Sequence, residues 1–363
     1  MKSYNHLYEY CLSDYNICES ISQAKRSKRI RKLIRKRHLS DDVLALDAYD
    51  WIINYENSKH RPLKIYDGIN HKERVILVPT LEELVVQHCV VNALKPLFSR
   101  GMYEHNYASI PKRGAHKGKK VIKKWITKDK KNTKYVLKMD IRHFFDSIPH
   151  DILKTKFKKY IRDERMLDLV YKIIDITDSY GLPLGFYTSQ WFSNWYLQDL
   201  DHFIKESLSA KYYIRYMDDM VVFGDNKYKL HKMKDEIKDF LNFRLGLELK
   251  RNWQVFRFDN HNKGRDLDFM GFRFYRNRIV LRRNIMLKAS RKAKRIFKKE
   301  RPTVYDIRQM MSYYGWFSCT NTYCFYYLWI KPYVNFQDMR RRISRSSKFD
   351  DMRIYRILIS RYI

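Results

Sequence analysis

Along residues 212–223 an apolar, β-favouring run breaks at Tyr216-Met217-Asp218-Asp219 and then resumes as Met220-Val221-Val222-Phe223. Two adjacent carboxylates between two such runs predict a strand–turn–strand, with the charges at the turn and the flanks buried in a sheet. Residues 135–141 give another strand, which ends at Asp140 and Ile141. Upstream, residues 71–80 read as a strand closed by Pro79. Thr80 caps a following helix that carries Glu82 and Glu83 in its first turn and runs through Leu94. Helical spacing then covers roughly 116–128, 149–162, 170–177, 189–206 and 229–245, with a loop at 181–185. The helix over 189–206 has an aromatic face of Trp191, Phe192, Trp195 and Tyr196. Residues 267–281 read as a short hairpin around Gly271 and Asn277, and both ends of the chain, 1–70 and 283–363, read as basic and helical. This order predicts an α+β fold with an antiparallel sheet backed by helices, rather than repeated βαβ units.

Composition sharpens the picture. The chain has 363 residues, with 74 Lys and Arg against 40 Asp and Glu, a net charge of +34. Such self-repulsion favours a polyanionic partner, nucleic acid before anionic membrane. No apolar stretch approaches 18 residues, and no signal core follows the N-terminus. Five scattered cysteines without a CxxC indicate neither a zinc ribbon nor a disulfide framework, which fits a reducing, intracellular setting. The basic residues cluster: nine fall in 25–37, twelve in 111–138 and ten in 282–301. A solvated helix face and a clamp on phosphates explain the first cluster equally well. Neither GxGxxG after a strand nor GxxxxGK[ST] occurs, so dinucleotide and P-loop chemistry are disfavoured.

Three carboxylates at strand ends in so basic a chain point to a divalent-metal site for phosphoryl transfer on nucleic acid. Asp140 and Asp218 are the main candidate ligands, the carbonyl of Ile141 supplies another oxygen, and Asp219 serves as ligand or electrostatic support. An Asp-Asp pair in a turn is common by itself; the apolar flanks and the strand ending in Asp140 give it meaning. Two Mg²⁺ ions, replaceable by Mn²⁺, would activate a primer 3′-hydroxyl and hold the leaving pyrophosphate. Phe144 and Phe145 divide a core role and that of a plate under the incoming sugar, and spacing does not say which takes which. Asp146 reads as a helix cap or local bridge. Lys72, Arg74 and Arg113 are candidates to neutralise a triphosphate, each with ordinary surface placement as the competing explanation. Gly114 permits close backbone approach, while His116 reads as a structural contact rather than a base. Lys250 suits a pyrophosphate contact, a template contact or plain surface. The basic 282–301 and 340–345 stretches offer phosphate contacts that suit a grip on an RNA–DNA hybrid by shape.

Taken together, these residues resemble a reverse transcriptase. Tyr216-Met217-Asp218-Asp219 is similar to that family's central metal box, and Lys138-Met139-Asp140-Ile141 with Phe144-Phe145-Asp146 to its first-aspartate motif. Arg74–Pro79 and Arg113-Gly114-Ala115-His116 resemble fingers segments that contact triphosphate and template, and Leu267–Gly271 the motif that closes the palm. The resemblance spans about residues 60–285. It implies a right-hand polymerase: a basic N-terminal extension at 1–70, fingers at 71–134, palm at 135–282 with interleaved fingers elements, and a helical thumb at 283–363. It assigns the sugar gate to Phe145.

The segment Leu182–Gln190 suggests a subtype. Most bacterial and intron-encoded relatives carry Gln before the glycine that matches Gly185, followed by Ser-Pro; here Leu184 and Gln190 stand instead. That departure resembles the reverse transcriptases of diversity-generating retroelements, in which the aliphatic residue lies by the templating pair and is linked to misincorporation opposite adenine. The resemblance places Leu184, Gly185 and Gln190 in the nucleotide site. It implies dNTP substrates, a structured template-repeat RNA, an RNA–DNA hybrid, a helical accessory protein, no membrane, and the cytoplasm of a bacterial or phage-infected cell. Such enzymes lack RNase H and endonuclease domains, and this length leaves little room for either. A retron or phage-defence reverse transcriptase is the nearest rival, and a non-catalytic, maturase-like RNA-binding protein the more distant one.

Overall fold

A computed structural model describes residues 3–67, 72–259 and 264–346. They divide between two compact units, one within 3–125 and 129–257, the other within 126–128 and 258–346. The architecture is α+β, with a small antiparallel sheet among many helices.

The first unit opens with α1 (Leu7–Cys11), α2 (Asp14–Ala24), α3 (Lys28–Lys36) and α4 (Asp41–Ile53). In α3 only Ile30 and Ile34 are buried, so its cations stand on the opposite face. Strands β1 (Leu63–Asp67) and β2 (Lys72–Ile76) pair antiparallel; β1 lies inside the stretch expected to be helical. Helix α5 (Leu81–Ser99) starts in a capping box, in which Thr80 accepts from the Glu83 amide and Glu83 accepts from the Thr80 amide. Helix α6 (Ala115–Lys128) precedes β3 (Tyr135–Asp140). Then come α7 (Phe144–Ser147), α8 (His150–Tyr160) and α9 (Glu164–Ile174).

The single helix expected over 189–206 is instead α10 (Tyr187–Tyr196), α11 (Gln198–His202) and a π-helical turn, Phe203–Ser207. Its aromatic face is core: Phe98 of α5 packs 5.7 Å from Trp191, and Phe157 of α8 packs 4.6 Å from Trp195. Strands β4 (Tyr212–Tyr216) and β5 (Asp219–Gly224) follow, then α12 (Lys227–Leu245) and β6 (Gln254–Arg257). The sheet order is β4-β5-β3-β6, all antiparallel, so the strand ending in Asp140 lies beside the strand beginning at Asp219.

The second unit holds β7 (Leu267–Phe269), β8 (Phe272–Phe274) and β9 (Ile279–Leu281), a three-stranded meander where a single hairpin was expected. It continues as α13 (Arg283–Phe297), α14 (Val304–Phe317) and α15 (Tyr323–Trp329). Among the described residues, no helix is long and apolar enough to cross a membrane.

Candidate active site

The apolar runs of β3 and β5 place the carboxylates. Their register sets Asp140 directly opposite Asp219, and Tyr216 opposite Asp219 across the hairpin, so only Met217 and Asp218 make the turn. Directly opposed residues of an antiparallel pair point to one face of the sheet. Met217 adopts φ +59°, a left-handed conformation that side chains disfavour. The Ile141 amide donates to the Asp218 carbonyl at 3.3 Å, tying the turn to the end of β3. A third segment closes the site: the Lys250 amide donates to the Asp140 carbonyl at 2.8 Å, and the Arg142 amide to the Glu248 carbonyl at 2.8 Å.

The electrostatics follow from this crowding. Burial, and then the charge of Asp140 beside it, push the Asp218 carboxyl up to about 6, while Lys250 opposes the shift. Lys250 Nζ donates to Asp140 Oδ2 at 2.7 Å. The other Asp140 oxygen, Oδ1, is buried with no hydrogen-bond partner. An orphaned, buried carboxylate oxygen next to a second carboxyl held against its own charge is a hard-oxygen donor set that suits Mg²⁺ or Mn²⁺. Among the described residues, no three His, Cys, Asp or Glu side chains converge as a metal cluster. The structure therefore brings together Asp140 and Asp218, and Asp219 lies directly opposite Asp140 across the ladder. The buried Ile141 sits at the end of β3, beside this pair.

The other expected residues fall as follows. Phe144 is core at 3% exposed, and Phe145 is half-buried, which separates the two phenylalanines. Leu184 and Gly185 form a loop against the end of β2: the Leu77 amide donates to the Leu184 carbonyl at 2.8 Å. Gly185 has φ +113°, and a Cβ there would lie 2.2 Å from the Leu77 carbonyl oxygen. Gln190 is exposed on α10. Arg74 is exposed on β2, and the side chain of Lys72 lies outside the described residues. Arg113 spends one guanidinium nitrogen on the carbonyls of Tyr103, Glu104 and Asn106, at 2.7, 3.1 and 3.4 Å, and so ties its own loop. Gly114 is the N-cap residue of α6, and His116 is exposed. Asp146 makes no capping bond; it lies 4.0 Å from His143 in α7.

Pattern reading missed a buried polar group behind the hairpin. Arg215 of β4 pairs with Asp201 of α11 and contacts Asn194 of α10. The available signal was a lone arginine in the otherwise apolar Tyr213-Ile214 run, which cannot be buried without an acidic partner.

With this geometry in hand, comparison with known proteins is direct. Residues 59–274 match the family described as reverse transcriptase (RNA-dependent DNA polymerase), and the chain belongs to that family. Protein YkfC of Escherichia coli (strain K12) is 24% identical over 289 residues, covering 68% of this chain and 71% of YkfC. The retron Ec73 reverse transcriptase of Escherichia coli is 27% identical over 202 residues, 51% of this chain and 59% of the retron enzyme. The group II intron-encoded protein LtrA of Lactococcus lactis subsp. cremoris is 26% identical over 142 residues, 37% of this chain and 23% of LtrA. Among solved structures, apo telomerase from Candida tropicalis superposes with a TM-score of 0.47 at 13% identity, over 75% of this chain and 56% of that one.

Proposed function

We propose that this protein is an RNA-directed DNA polymerase that copies a structured RNA at Asp140 and Asp218, and that it is the error-prone, adenine-mutagenic enzyme of a diversity-generating retroelement. The observation that carries the polymerase reading is the meeting of the Asp140 and Asp218 carboxyls, one oxygen orphaned, in a chain of net charge +34. In this reading the sheet is the palm, residues 71–134 contribute fingers and 283–363 the thumb. Asp140 and Asp218 hold two Mg²⁺ ions with the Ile141 carbonyl, and Asp219 ligates or supports them electrostatically. When bound, the cations would activate the primer 3′-hydroxyl and stabilise charge on the leaving pyrophosphate.

The remaining roles belong to the chain's own residues. Phe145, half-buried where Phe144 is core, meets the incoming sugar and leaves no room for a 2′-hydroxyl. Lys72, Arg74 and Arg113 neutralise the triphosphate, and Lys250 takes the pyrophosphate or the template. Leu184, Gly185 and Gln190 line the templating pair. Leu184 supplies no amide to hydrogen-bond there, so selection at that pair is relaxed. A helical accessory protein and the template-repeat RNA are the expected partners. A retron-type enzyme is the second reading, favoured by the 27% identity to the retron Ec73 enzyme; Leu184 and Gln190 weigh against it.

Primer extension on an RNA template with Mg²⁺, beside Asp218→Asn, tests the polymerase reading. Loss of a metal ligand is expected to lower synthesis about 10³-fold, several kcal/mol of transition-state stabilisation. Equal synthesis by both proteins would remove Asp218 from catalysis.

A further inference from the structure

We infer that Arg215 is a positioning residue that fixes the turn carrying Asp218, a role that rests on the polymerase reading of that turn. Arg215 lies three residues before Asp218 and is fully buried, at 0% exposed, against Asp201 at 1%. Its Nε and Nη2 fork onto Asp201 Oδ1 and Oδ2 at 2.8 and 2.6 Å, and the Tyr213 hydroxyl donates to the same Oδ1 at 2.8 Å. Burial alone would pull the guanidinium pKa down, but the charge and hydrogen bonds of Asp201 raise it, so the guanidinium keeps its charge in the core. The nitrogen left over, Nη1, donates to the Met217 carbonyl at 3.1 Å and to Asn194 Oδ1 at 3.2 Å. Asn194 is itself fixed: its Oδ1 accepts from Asn106 at 3.0 Å and its amide donates to the Ala108 carbonyl at 3.0 Å.

Stability alone does not account for this group. Well-packed apolar residues often replace a buried ion pair with no loss of stability. What they cannot replace is the donor to Met217. That residue stands at φ +59°, in the left-handed region that its side chain disfavours. Its carbonyl belongs to the peptide that leads into Asp218, so rotation of that peptide swings the carboxylate. The peptide on the other side of Asp218 is held by the Ile141 amide, at 3.3 Å. Asp218 is thus bracketed by two hydrogen bonds, one from Ile141 just after β3 and one from Arg215.

The test separates folding from positioning. In the triple variant Arg215→Met/Asp201→Leu/Tyr213→Phe, no buried charge is left without its partner and no hydroxyl loses its acceptor at Asp201. It is expected to keep a wild-type urea midpoint and tryptophan fluorescence. Its kcat for single-nucleotide addition is expected to fall about 10–100-fold, with a higher half-saturating Mg²⁺ concentration and an unchanged KM for dNTP. A folded triple variant with wild-type kcat and Mg²⁺ dependence overturns the inference. Should the triple variant fail to fold, Arg215→Lys decides. It keeps a cation beside Asp201 but lacks the fork that also reaches Met217; a loss of kcat supports the role and wild-type kcat overturns it. Extension by wild type that matches Asp218→Asn overturns the polymerase reading, and this inference with it.

Discussion

Lys250 Nζ lies 2.7 Å from Asp140 Oδ2, so in the absence of a cation the ammonium neutralises the carboxylate that the proposed metal site needs. The Lys250 side chain is 39% exposed and that of Asp140 27%, which limits the strength of the pair. Lys250→Met is expected to bind Mn²⁺ about 2–5-fold more tightly than wild type in the absence of nucleotide, followed by electron paramagnetic resonance. Equal affinities would show that the ammonium does not compete for Asp140.

Glycine substitutions should separate a position that needs glycine from one that does not. Gly185→Ala drives a methyl to 2.2 Å from the Leu77 carbonyl oxygen, at φ +113°. It is expected to cost more than about 1 kcal/mol of stability and to disturb the Leu184 loop. Gly315 lies inside α14, and apart from its chain neighbours and the helix's own backbone no heavy atom comes within 4 Å of the carbon that Gly315→Ala adds. The substitution is expected to stabilise by roughly 0.5–1 kcal/mol. Urea titrations of the two variants check the opposite signs.

Acid should weaken the first unit through His88. Burial first, then the charges of Lys95 and Arg26, depress its pKa to about 4. Its ring packs 4.1 Å from Tyr187 and bonds to Gln23 at 3.1 Å. Above the unfolded value of about 6.5 the ring is neutral in both states and its contribution is complete. As the pH falls through the window from about 6.5 to about 4, the unfolded chain takes up the proton first and stability is lost. Between pH 7 and pH 5 the wild type should lose about 2 kcal/mol more than His88→Gln, measured by urea midpoints. Parallel losses would clear His88.

Leu184→Gln tests the mutagenic reading. On the proposed placement of Leu184 by the templating pair, an amide there, worth about 1 kcal/mol, is expected to cut misincorporation opposite template adenines about fivefold. Sequencing of cDNA made on the same RNA reads this, and an unaltered error spectrum would count against the subtype.

How far the sequence carried is clearest from particular segments. The strand around Leu137 and the runs flanking Met217 are buried on both sides, so their apolar content announced them. The helix after Thr80 carried its own start signal. By contrast, none of the β6 side chains is fully buried, with Val255 half-buried against the core, and β1 is exposed along its described side chains, so neither writes a strong apolar pattern. The break after Tyr196 is the single residue Leu197, whose backbone stays right-handed, and the π-helical turn holds no glycine or proline, so neither left a breaker residue to read. The Asp140–Asp218 meeting was legible because each lies at the end of a recognisable strand. The Arg215 network was not: its partners sit 14 and 21 residues upstream on other elements, and only the three-dimensional packing joins them. The meander over 267–281 was half-read, since both turns were visible but the third strand, Ile279–Leu281, was not separated from the second.

The pairing of Asp140 with Asp219, and of Tyr216 with Asp219 across two residues, has a bearing on how this chain can vary. Successive side chains of a strand alternate between faces, so one residue added or lost within β3 or β5 inverts everything beyond it. A single exchange there leaves the register intact, but the spacing cannot drift: an insertion next to the hairpin would aim an intact aspartate at the wrong side of the sheet.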